Sequence, residues 1–333
     1  VNAEAEKLFG YTEDELIDKP VEILIPQRFR ERPVEHRAAS AAAPRTRPMG
    51  IGLELYGLRR DGSDFPVEIS LSPVQTKKGL LAMAIVRDVT DYKRARFISE
   101  TLQRVLLSPE SEEVSGLKIA YSYHSAYAGA LVGGDFFDVF TIEPELIGIA
   151  IGDVSGKGVE ASVHTALAKY SLRAHAYQDP VPSSVLERLN STVYRQSEPD
   201  SFTTLFYGLL NMRQRTFSFA SAGHVPPLHL ASISNEVTEL IAIGLPLGVL
   251  PQARYEQHTM ILKSGDRVLL YSDGATDARN GKGFYGLDKL MEFLRGRGLE
   301  PPGDFIAHLT ETLQEWSEEH LRDDIAMLLV CMD

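Results

Sequence analysis

The sequence predicts an α+β fold in two domains, with strands in consecutive runs and helices in pairs, and not an alternating parallel βαβ repeat. The chain is long enough for two hydrophobic cores, since 44% of its 333 residues are hydrophobic and 24% are charged. Residues 1–90 change from helical periodicity to strand-like alternation. From Leu117 onward, strand patterns dominate and helical segments follow them in pairs.

The first segment, residues 1–90, is predicted to form short helices followed by an antiparallel meander. One helix ends at Gly10, and the stretch from Thr12 to Leu16 has the capping-box pattern that begins the next. Turn signals at 60–63 and 77–79 then separate three alternating segments. These predicted strands are Gly50–Arg59, Phe65–Pro73 and Leu80–Val89.

A single helix, Asp91 to Leu107, is predicted between the two domains. Its apolar residues are spaced three, four and three apart, which is the a/d pattern of a short coiled-coil seam. The seam residues are Ala95, Ile98, Leu102 and Val105. The spacing leaves two alternatives open, because such a helix can pair with its own copy or pack on its own domain.

The last segment, residues 115–333, carries the remaining predicted strands and helices. The strands are Lys118–Tyr123, Asp135–Thr141, Leu146–Gly152, Thr203–Asn211, Thr216–Ala220, Asp266–Tyr271 and Ile325–Cys331. The helices are Val159–Tyr177, Ser183–Gln196, Leu287–Arg295 and Asp304–Leu321.

Composition argues against several classes of function. The chain has 34 basic and 46 acidic residues, a net charge of −12, and no basic patch, so nucleic-acid binding is not expected. A single cysteine, Cys331, excludes an internal disulfide and suits the cytoplasm. No apolar run reaches the roughly 18 residues that a membrane span requires, and no signal peptide opens the chain. The chain begins at Val1 in mid-motif, so we expect it to be a fragment of a longer protein.

Aspartates mark the ends of several predicted strands. Asp135 and Asp153 each follow a glycine, Asp273 follows an apolar strand, and the pair Asp323-Asp324 precedes the last strand. Glycine lets the backbone approach a ligand closely, and carboxylates are hard oxygen donors. The pattern therefore predicts a divalent metal site.

The motifs that contain these aspartates occur in a fixed order. They are GGDFFD at 133–138, GDVSGKG at 152–158, AGHVPPL at 222–228, GLPLG at 244–248, YSDG at 271–274 and DDIAMLLV at 323–330. The set resembles the bacterial metal-dependent (PPM-type) protein serine phosphatases, and most closely their SpoIIE-like branch, which regulates anti-anti-sigma factors. The resemblance covers residues 115–333.

The phosphatase resemblance implies two antiparallel sheets packed face to face, flanked by helix pairs, with two Mn²⁺ or Mg²⁺ ions at one end. Such ions, about 3.5–4 Å apart, clamp phosphoryl oxygens and turn a bound water into the nucleophile. By motif position, Asp153 would bridge both ions and the Val154 carbonyl would add an oxygen. The other implied ligands are Asp135, Asp273 and Asp323, with Asp277 at a possible extra site and Asp324 as the alternative to Asp323.

Residues 1–90 resemble a PAS sensor domain that lacks its first two strands. The matching segments are LFGYTEDELIDKPVEILIP, RRDGSDFPVEISLSPV and AIVRDVTD. A covalent flavin is not expected, because the segment contains no cysteine. Haem is not expected either, because Pro33 stands where similar oxygen-sensor domains have their proximal histidine, and His36 lies about one helical turn later. A small-molecule pocket or a purely dimerising PAS domain is favoured.

Two other motif residues admit a catalytic role. His224 could act as a general acid, but the favoured interpretation is a buried, hydrogen-bonded histidine. Lys157 could attract phosphate, although a structural role near the next helix is favoured. The 152–158 loop is not a P-loop, because Gly158 stands where Ser or Thr must bind magnesium. The motifs contain no arginine that could clamp a phosphate, which leaves substrate positioning to the metals.

We therefore expect a PAS-regulated, metal-dependent serine/threonine protein phosphatase that acts on an anti-anti-sigma (STAS) protein. The expected organisation is a PAS domain at 1–90, a helical linker at 91–114 and a phosphatase domain at 115–333, in a homodimer joined through the PAS domain and linker. One alternative is an inactive phosphatase fold that only binds, which the four retained carboxylates argue against. The other is a cyclic-dinucleotide synthase, because GGDFFD resembles the GGDEF signature, but too few residues precede Gly133 for its half-domain.

Overall fold

The computed structural model describes residues 1–30, 47–49, 55–76, 79–94, 116–125, 133–156, 159–196, 201–281, 283–318 and 321–333. The chain separates into two compact units, Val1–Phe97 and Ile98–Asp333. Among the described residues, no helix is both long and apolar enough to cross a lipid bilayer. Most of the predicted linker, including the seam from Ala95 to Val105, lies outside the described residues, so the predicted domain boundaries stay predictions.

The first unit opens with the two predicted short helices, α1 (Ala3–Phe9) and α2 (Glu13–Leu16). Helix α1 is capped by the Asn2 side chain and ends at Gly10, whose φ of 77° requires the left-handed region that glycine adopts without strain. The capping box predicted for α2 is present. Two 3₁₀ turns follow, at Val21–Leu24 and Gln27–Phe29.

A four-stranded antiparallel sheet completes the first unit. Its strands are β1 (Arg47–Met49), β2 (Tyr56–Leu58), β3 (Asp64–Thr76) and β4 (Gly79–Asp88). The long strand β3 pairs with each of the other three, so β2, β3 and β4 form the predicted meander. The buried core is small and contains Phe9, Phe65 and Val67.

The second unit contains the remaining elements in chain order. Its strands are β5 (Leu117–His124), β6 (Asp135–Glu143), β7 (Leu146–Val154), β8 (Thr203–Asn211), β9 (Thr216–Ala222), β10 (Leu228–Ala231), β11 (Glu236–Glu239), β12 (His258–Ile261), β13 (Arg267–Tyr271), β14 (Arg279–Asn280), β15 (Gly283–Phe284) and β16 (Ile325–Met332). Its helices are α3 (Val159–Gln178), α4 (Pro182–Gln196), α5 (Asp273–Asp277), α6 (Gly286–Arg297) and α7 (Pro302–Trp316).

Two antiparallel five-stranded sheets form a sandwich in this unit. One has the order β11-β10-β13-β16-β5 and the other the order β12-β9-β8-β7-β6. A core between the sheets includes Ile149, Phe206, Leu270 and Leu328. The outer face of the second sheet packs on α3 and α4, and that of the first packs on α6 and α7. This layering confirms the predicted α+β sandwich flanked by helix pairs.

Strand β7 illustrates why the sandwich buries nearly continuous apolar runs. Ile147, Ile149 and Ile151 point into the core between the sheets, whereas Ala150 and Val154 face the helices. Because both faces are covered, both sets of alternate residues must be apolar or small. The strand thereby carries Asp153 to the edge of a dry interior.

The structure differs from the predicted elements at several places. The last helix, predicted to run from Asp304 to Leu321, ends at Trp316. The strands β10, β11 and β12 were not predicted, because four residues give too short a periodic signal. Asp273 follows strand β13 as predicted and also begins the short helix α5, which was not predicted.

Candidate metal centre

The first two predicted ligands face each other across two neighbouring strands. Strand β6 begins at Asp135, strand β7 ends at Val154, and the antiparallel register places Asp135 directly opposite Asp153. Asp135 is buried, and Asp153 is half-buried. Like charges at directly opposed positions destabilise a sheet, so the pairing favours a site that gains a cation.

Gly134 lies directly against two predicted ligand oxygens. The Val154 amide donates a hydrogen bond to the Gly134 carbonyl (3.1 Å). A β-carbon at Gly134 would lie 2.1 Å from the Val154 carbonyl oxygen and 2.6 Å from Asp153 Oδ1. Only glycine leaves room for these oxygens, which explains the second glycine of the GGDFFD motif.

Asp273 reaches the same end of the sandwich from the other sheet. Ser272 joins strand β13 to β16, because its amide donates to the Ala326 carbonyl (2.9 Å) and its Oγ accepts from the Ala326 amide (3.0 Å). Asp273 then opens helix α5, and Gly274 lies against the Asp324 carbonyl oxygen, 2.0 Å from where a β-carbon would sit.

The Asp323-Asp324 pair presents two carboxylates with different surroundings. A β-carbon at Gly133 would lie 1.6 Å from Asp324 Oδ2 and 2.4 Å from the Tyr123 hydroxyl, so Asp324 is turned inward against strand β5. Asp323 is exposed, and its charge acts on Asp153 and Asp273. Both members of the pair therefore stay candidates for a ligand, as the sequence left them.

The pKa values of Asp135, Asp153 and Asp273 reflect loss of hydration and mutual repulsion. Burial, followed by the charge of Asp153, holds the pKa of Asp135 well above its usual range. Burial and the charges of Asp273, Asp323 and Asp324 raise the pKa of Asp153 to about 7. Burial and Asp323 also raise the pKa of Asp273. Carboxylates shifted in this way lack a positive counter-charge.

The donor set fits divalent cations by charge and ligand type. Asp135 Oδ2 is buried and has no hydrogen-bond partner among the described residues, and buried polar atoms without a partner are uncommon. As they stand, no three described acidic, histidine or cysteine side chains form a group that could hold one ion. Backbone oxygens such as Val154 O and an inward movement of the carboxylates would be needed to complete the coordination.

Asp277 lies one helical turn after Asp273, at the end of α5. It is exposed, and its charge contributes to the raised pKa of Asp273. Asp277 and Asp323 line the same cavity of about 250 Å³. The structure therefore brings the additional predicted ligand to the rim of the carboxylate cluster.

His224 is buried, and both nitrogens of its ring lie within hydrogen-bond distance of protein oxygens. Its Nδ1 lies 2.9 Å from Thr204 Oγ1 and its Nε2 lies 3.2 Å from the Tyr271 carbonyl oxygen. Burial lowers its pKa to about 4. These contacts agree with the buried, hydrogen-bonded interpretation. Lys157 and Gly158 lie outside the described residues.

Sequence reasoning missed the second aspartate of the GGDFFD motif. Asp138 is fully buried and accepts hydrogen bonds from Arg173 Nε (2.6 Å) and Nη2 (2.8 Å), with Lys169 Nζ at 3.5 Å. The two cations are four residues apart on one face of α3. The four-residue spacing of Lys169 and Arg173 was the available signal. The network holds α3 against strand β6.

We expect Arg173→Met to lower the free energy of unfolding by about 3–5 kcal/mol, because it removes the two hydrogen bonds that the Arg173 guanidinium donates to the buried Asp138 carboxylate. Urea unfolding measures the loss. Arg188→Met is the matched control, because Arg188 makes a partly exposed pair with Asp179, and such pairs contribute about 0–1 kcal/mol. Equal losses in the two variants would contradict the structural role of Asp138.

Comparisons with known proteins agree with this architecture. Residues 143–333 match the family described as Stage II sporulation protein E (SpoIIE), and residues 1–91 match the PAS domain family. The SpoIIE match spans more than half of the chain and includes Asp153, Asp273 and Asp323. Asp135 lies ahead of the matched range.

Curated relatives are similar along most of the chain. The phosphoserine phosphatase RsbU of Bacillus subtilis is 29% identical over 233 residues, which cover 70% of this chain and 68% of RsbU. The phosphoserine phosphatase RsbP of the same organism is 24% identical over 214 residues, which cover 63% of this chain and 51% of RsbP. This chain therefore spans about half the length of RsbP.

Among solved structures, the PP2C domain of SiaA from Pseudomonas aeruginosa superposes with a TM-score of 0.64. The match is 20% identical and covers 72% of this chain and 96% of the SiaA domain. At that identity the likeness concerns the fold alone, and the fold it shares is the two-sheet sandwich. The chain belongs to the SpoIIE family of PPM-type protein phosphatases and carries a PAS domain ahead of the phosphatase domain.

Proposed function

We propose that this chain is a manganese- or magnesium-dependent phosphoserine/phosphothreonine protein phosphatase whose substrate is an anti-anti-sigma (STAS) protein and whose activity is controlled by its PAS domain. The observation that carries the proposal is the convergence of Asp135, Asp153, Asp273 and the Asp323-Asp324 pair at one end of the sandwich. The proposal assigns these residues to the metals, with Val154 O as a backbone ligand.

The chain's own residues prepare the site in three ways. Strands β6 and β7 hold Asp135 and Asp153 opposite each other before any ion binds. Gly133 and Gly134 keep space for the carboxylate of Asp324 and the carbonyl of Val154. When bound, two divalent ions supply phosphoryl-oxygen stabilisation and a nucleophile at neutral pH. Burial of the Asp135 carboxylate excludes water from most of its surface and strengthens its attraction for cations.

The substrate assignment has a different basis from the metal assignment. Two relatives of this chain are phosphoserine phosphatases by name, which supports phosphoserine as the target residue. The STAS class of the target rests on the resemblance of the motifs to the SpoIIE-like branch. The acidic net charge of −12 also argues for a protein target over a nucleic acid.

The test is hydrolysis of p-nitrophenyl phosphate and of phosphorylated STAS proteins from the same genome, each with Mn²⁺, with Mg²⁺ and with EDTA. We expect turnover of both substrates that depends on the metal and is lost in EDTA. If neither substrate is hydrolysed with Mn²⁺ or with Mg²⁺, the result would contradict the proposal and favour the inactive binding module. Release of phosphate from p-nitrophenyl phosphate alone would contradict only the STAS assignment.

Regulation is proposed to pass through the linker helix, which the sequence predicts and which lies largely outside the described residues. The charged double variant Ile98→Glu with Leu102→Glu should shift the protein from dimer to monomer and change its activity on the phosphorylated STAS protein, because charges on an a/d seam oppose pairing. Light scattering and phosphate release measure the two effects.

The matched control changes the net charge by the same amount on the outer side of the same predicted helix. Gln103→Glu with Arg104→Gln should leave both the oligomeric state and the activity unchanged, because neither residue belongs to the seam. A dimeric seam variant with unchanged activity would identify the helix as a passive spacer.

A further inference from the structure

Two arginines stand beside the carboxylate cluster, although no arginine occurs in the phosphatase motifs. Arg279 begins the short strand β14, and Arg322 directly precedes Asp323. Both line the cavity of about 250 Å³ that Asp277, Asp323 and Gly274 also line. The tertiary structure therefore brings two cations from separate segments to the edge of the proposed metal centre.

The same two arginines also line a second, adjoining cavity. Its volume is about 430 Å³, and its other lining residues are Asn280, Gly281, Ser317 and the acidic Glu318. Arg279 and Arg322 are common to both cavities and so stand where the two meet. A group bound at the carboxylate end could thus continue past the arginines into the second cavity.

Among the described residues, neither Arg279 nor Arg322 has a salt bridge or a side-chain hydrogen bond, and the guanidinium of Arg279 lies 5.9 Å from the centre of the Phe284 ring. Arg173, by contrast, pairs with Asp138. Two exposed and unpaired arginines facing one cavity in a chain of net charge −12 offer free donors to an anion.

We propose that Arg279 and Arg322 form an oxyanion subsite that takes the phosphoryl group of the substrate at the metal centre. The inference rests on the proposed phosphatase function and adds two positioning residues that the motifs do not contain. Guanidinium groups donate in a planar fork that matches phosphate oxygens. A dianion that approaches five carboxylates also needs compensating positive charge, which these two side chains supply next to the ions.

The subsite also indicates how a protein substrate lies on the enzyme. With the phosphoryl group held between the carboxylate cluster and the arginines, the adjoining cavity is the path left for the chain that carries the phosphoserine. The preferred ligand class is thus a phosphomonoester dianion on a peptide.

The experiment compares Arg279→Gln, Arg322→Gln and the control Arg295→Gln in the full chain with Mn²⁺. Arg295 is exposed on α6 and lines neither cavity. The readouts are KM and kcat for p-nitrophenyl phosphate, and calorimetric binding of inorganic phosphate to the Mn²⁺-loaded protein. We expect each subsite variant to raise KM and the phosphate Kd about tenfold, with a smaller change in kcat, since hydrogen bonds to charged groups contribute on that scale.

Arg322→Lys keeps the charge but loses the planar fork, so it should recover only part of the phosphate affinity. Values of KM and phosphate Kd equal to those of Arg295→Gln in both subsite variants would overturn the proposal. An active wild-type enzyme with unaffected arginine variants would refute the subsite and leave the phosphatase function standing. An inactive wild-type protein would refute the function, and the phosphate titration would then decide the subsite alone.

Discussion

Replacing Asp153 by asparagine is expected to abolish metal-dependent hydrolysis while the protein stays folded. Asp153 lies opposite Asp135 on the neighbouring strand and interacts with the charges of Asp273, Asp323 and Asp324. It is thus close to candidate ligands from both sheets. If Asp153 bridges both ions as proposed, removing its charge would weaken the binding of both at once, a loss that more substrate cannot restore.

The same substitution should have the opposite effect on the metal-free protein. Burial and like charges raise the pKa of Asp153 to about 7, above the usual value of an unfolded aspartate, so its ionised form opposes folding. This loss of folding stability is absent below the pKa of the unfolded aspartate. It grows as the pH rises from that value to about 7 and is complete above about 7. In EDTA at pH 8, Asp153→Asn should therefore melt at a higher temperature than the wild type, and the difference should shrink toward zero as the pH falls below the pKa of the unfolded aspartate.

The measurements are kcat with saturating p-nitrophenyl phosphate, calorimetric Mn²⁺ affinity and thermal melting in EDTA. Asp179→Asn is the control, because Asp179 is remote from the cluster and pairs with Arg188; it should keep wild-type activity. A kcat near the wild-type value in Asp153→Asn would rule out a bridging role.

Adding one methyl group at Gly134 is expected to damage the centre nearly as severely. The new β-carbon would lie 2.1 Å from the Val154 carbonyl oxygen and 2.6 Å from Asp153 Oδ1. The first of these atoms is backbone and belongs to strand β7, which is hydrogen-bonded on both sides. The clash must therefore displace the proposed backbone ligand or separate the two strands.

Gly134→Ala should weaken Mn²⁺ binding and activity by about 10–100-fold, the range found when the groups that orient metal ligands are altered. Calorimetry and phosphate release measure the two losses. Gly296→Ala is the matched control, because nothing lies within 4 Å of its added β-carbon and alanine is favoured over glycine inside a helix. Wild-type Mn²⁺ affinity in Gly134→Ala would show that Val154 O and Asp153 do not hold the ions.

Much of the architecture followed from local patterns. The alternation in Leu146–Gly152 and Thr203–Asn211 gave β7 and β8, because a strand buried on both faces must carry apolar residues at nearly every position. The end of helix α1 at Gly10 and the capping box at Thr12 could also be predicted, because helix caps depend on residues that are close in sequence. Long, regular helices and strands can therefore be predicted from their own residues.

The position of each motif aspartate at a strand end also followed from the sequence. Their convergence did not, because it depends on which strands become neighbours. Only the antiparallel register places Asp135 opposite Asp153, and only the order of the first sheet brings Asp273 beside Asp324. The resemblance to a known family supplied that convergence as an expectation.

Other features were decided by the tertiary structure alone. Sequence patterns did not predict that Asp138 pairs with Arg173, that Asp324 faces Gly133, or that Arg279 and Arg322 line the same cavity. Local patterns determined the strands, the helices and the types of donor in this protein. The side-chain contacts that tune the candidate site were set by packing between distant segments, because burial and Coulomb energies depend on spatial proximity and not on separation along the chain.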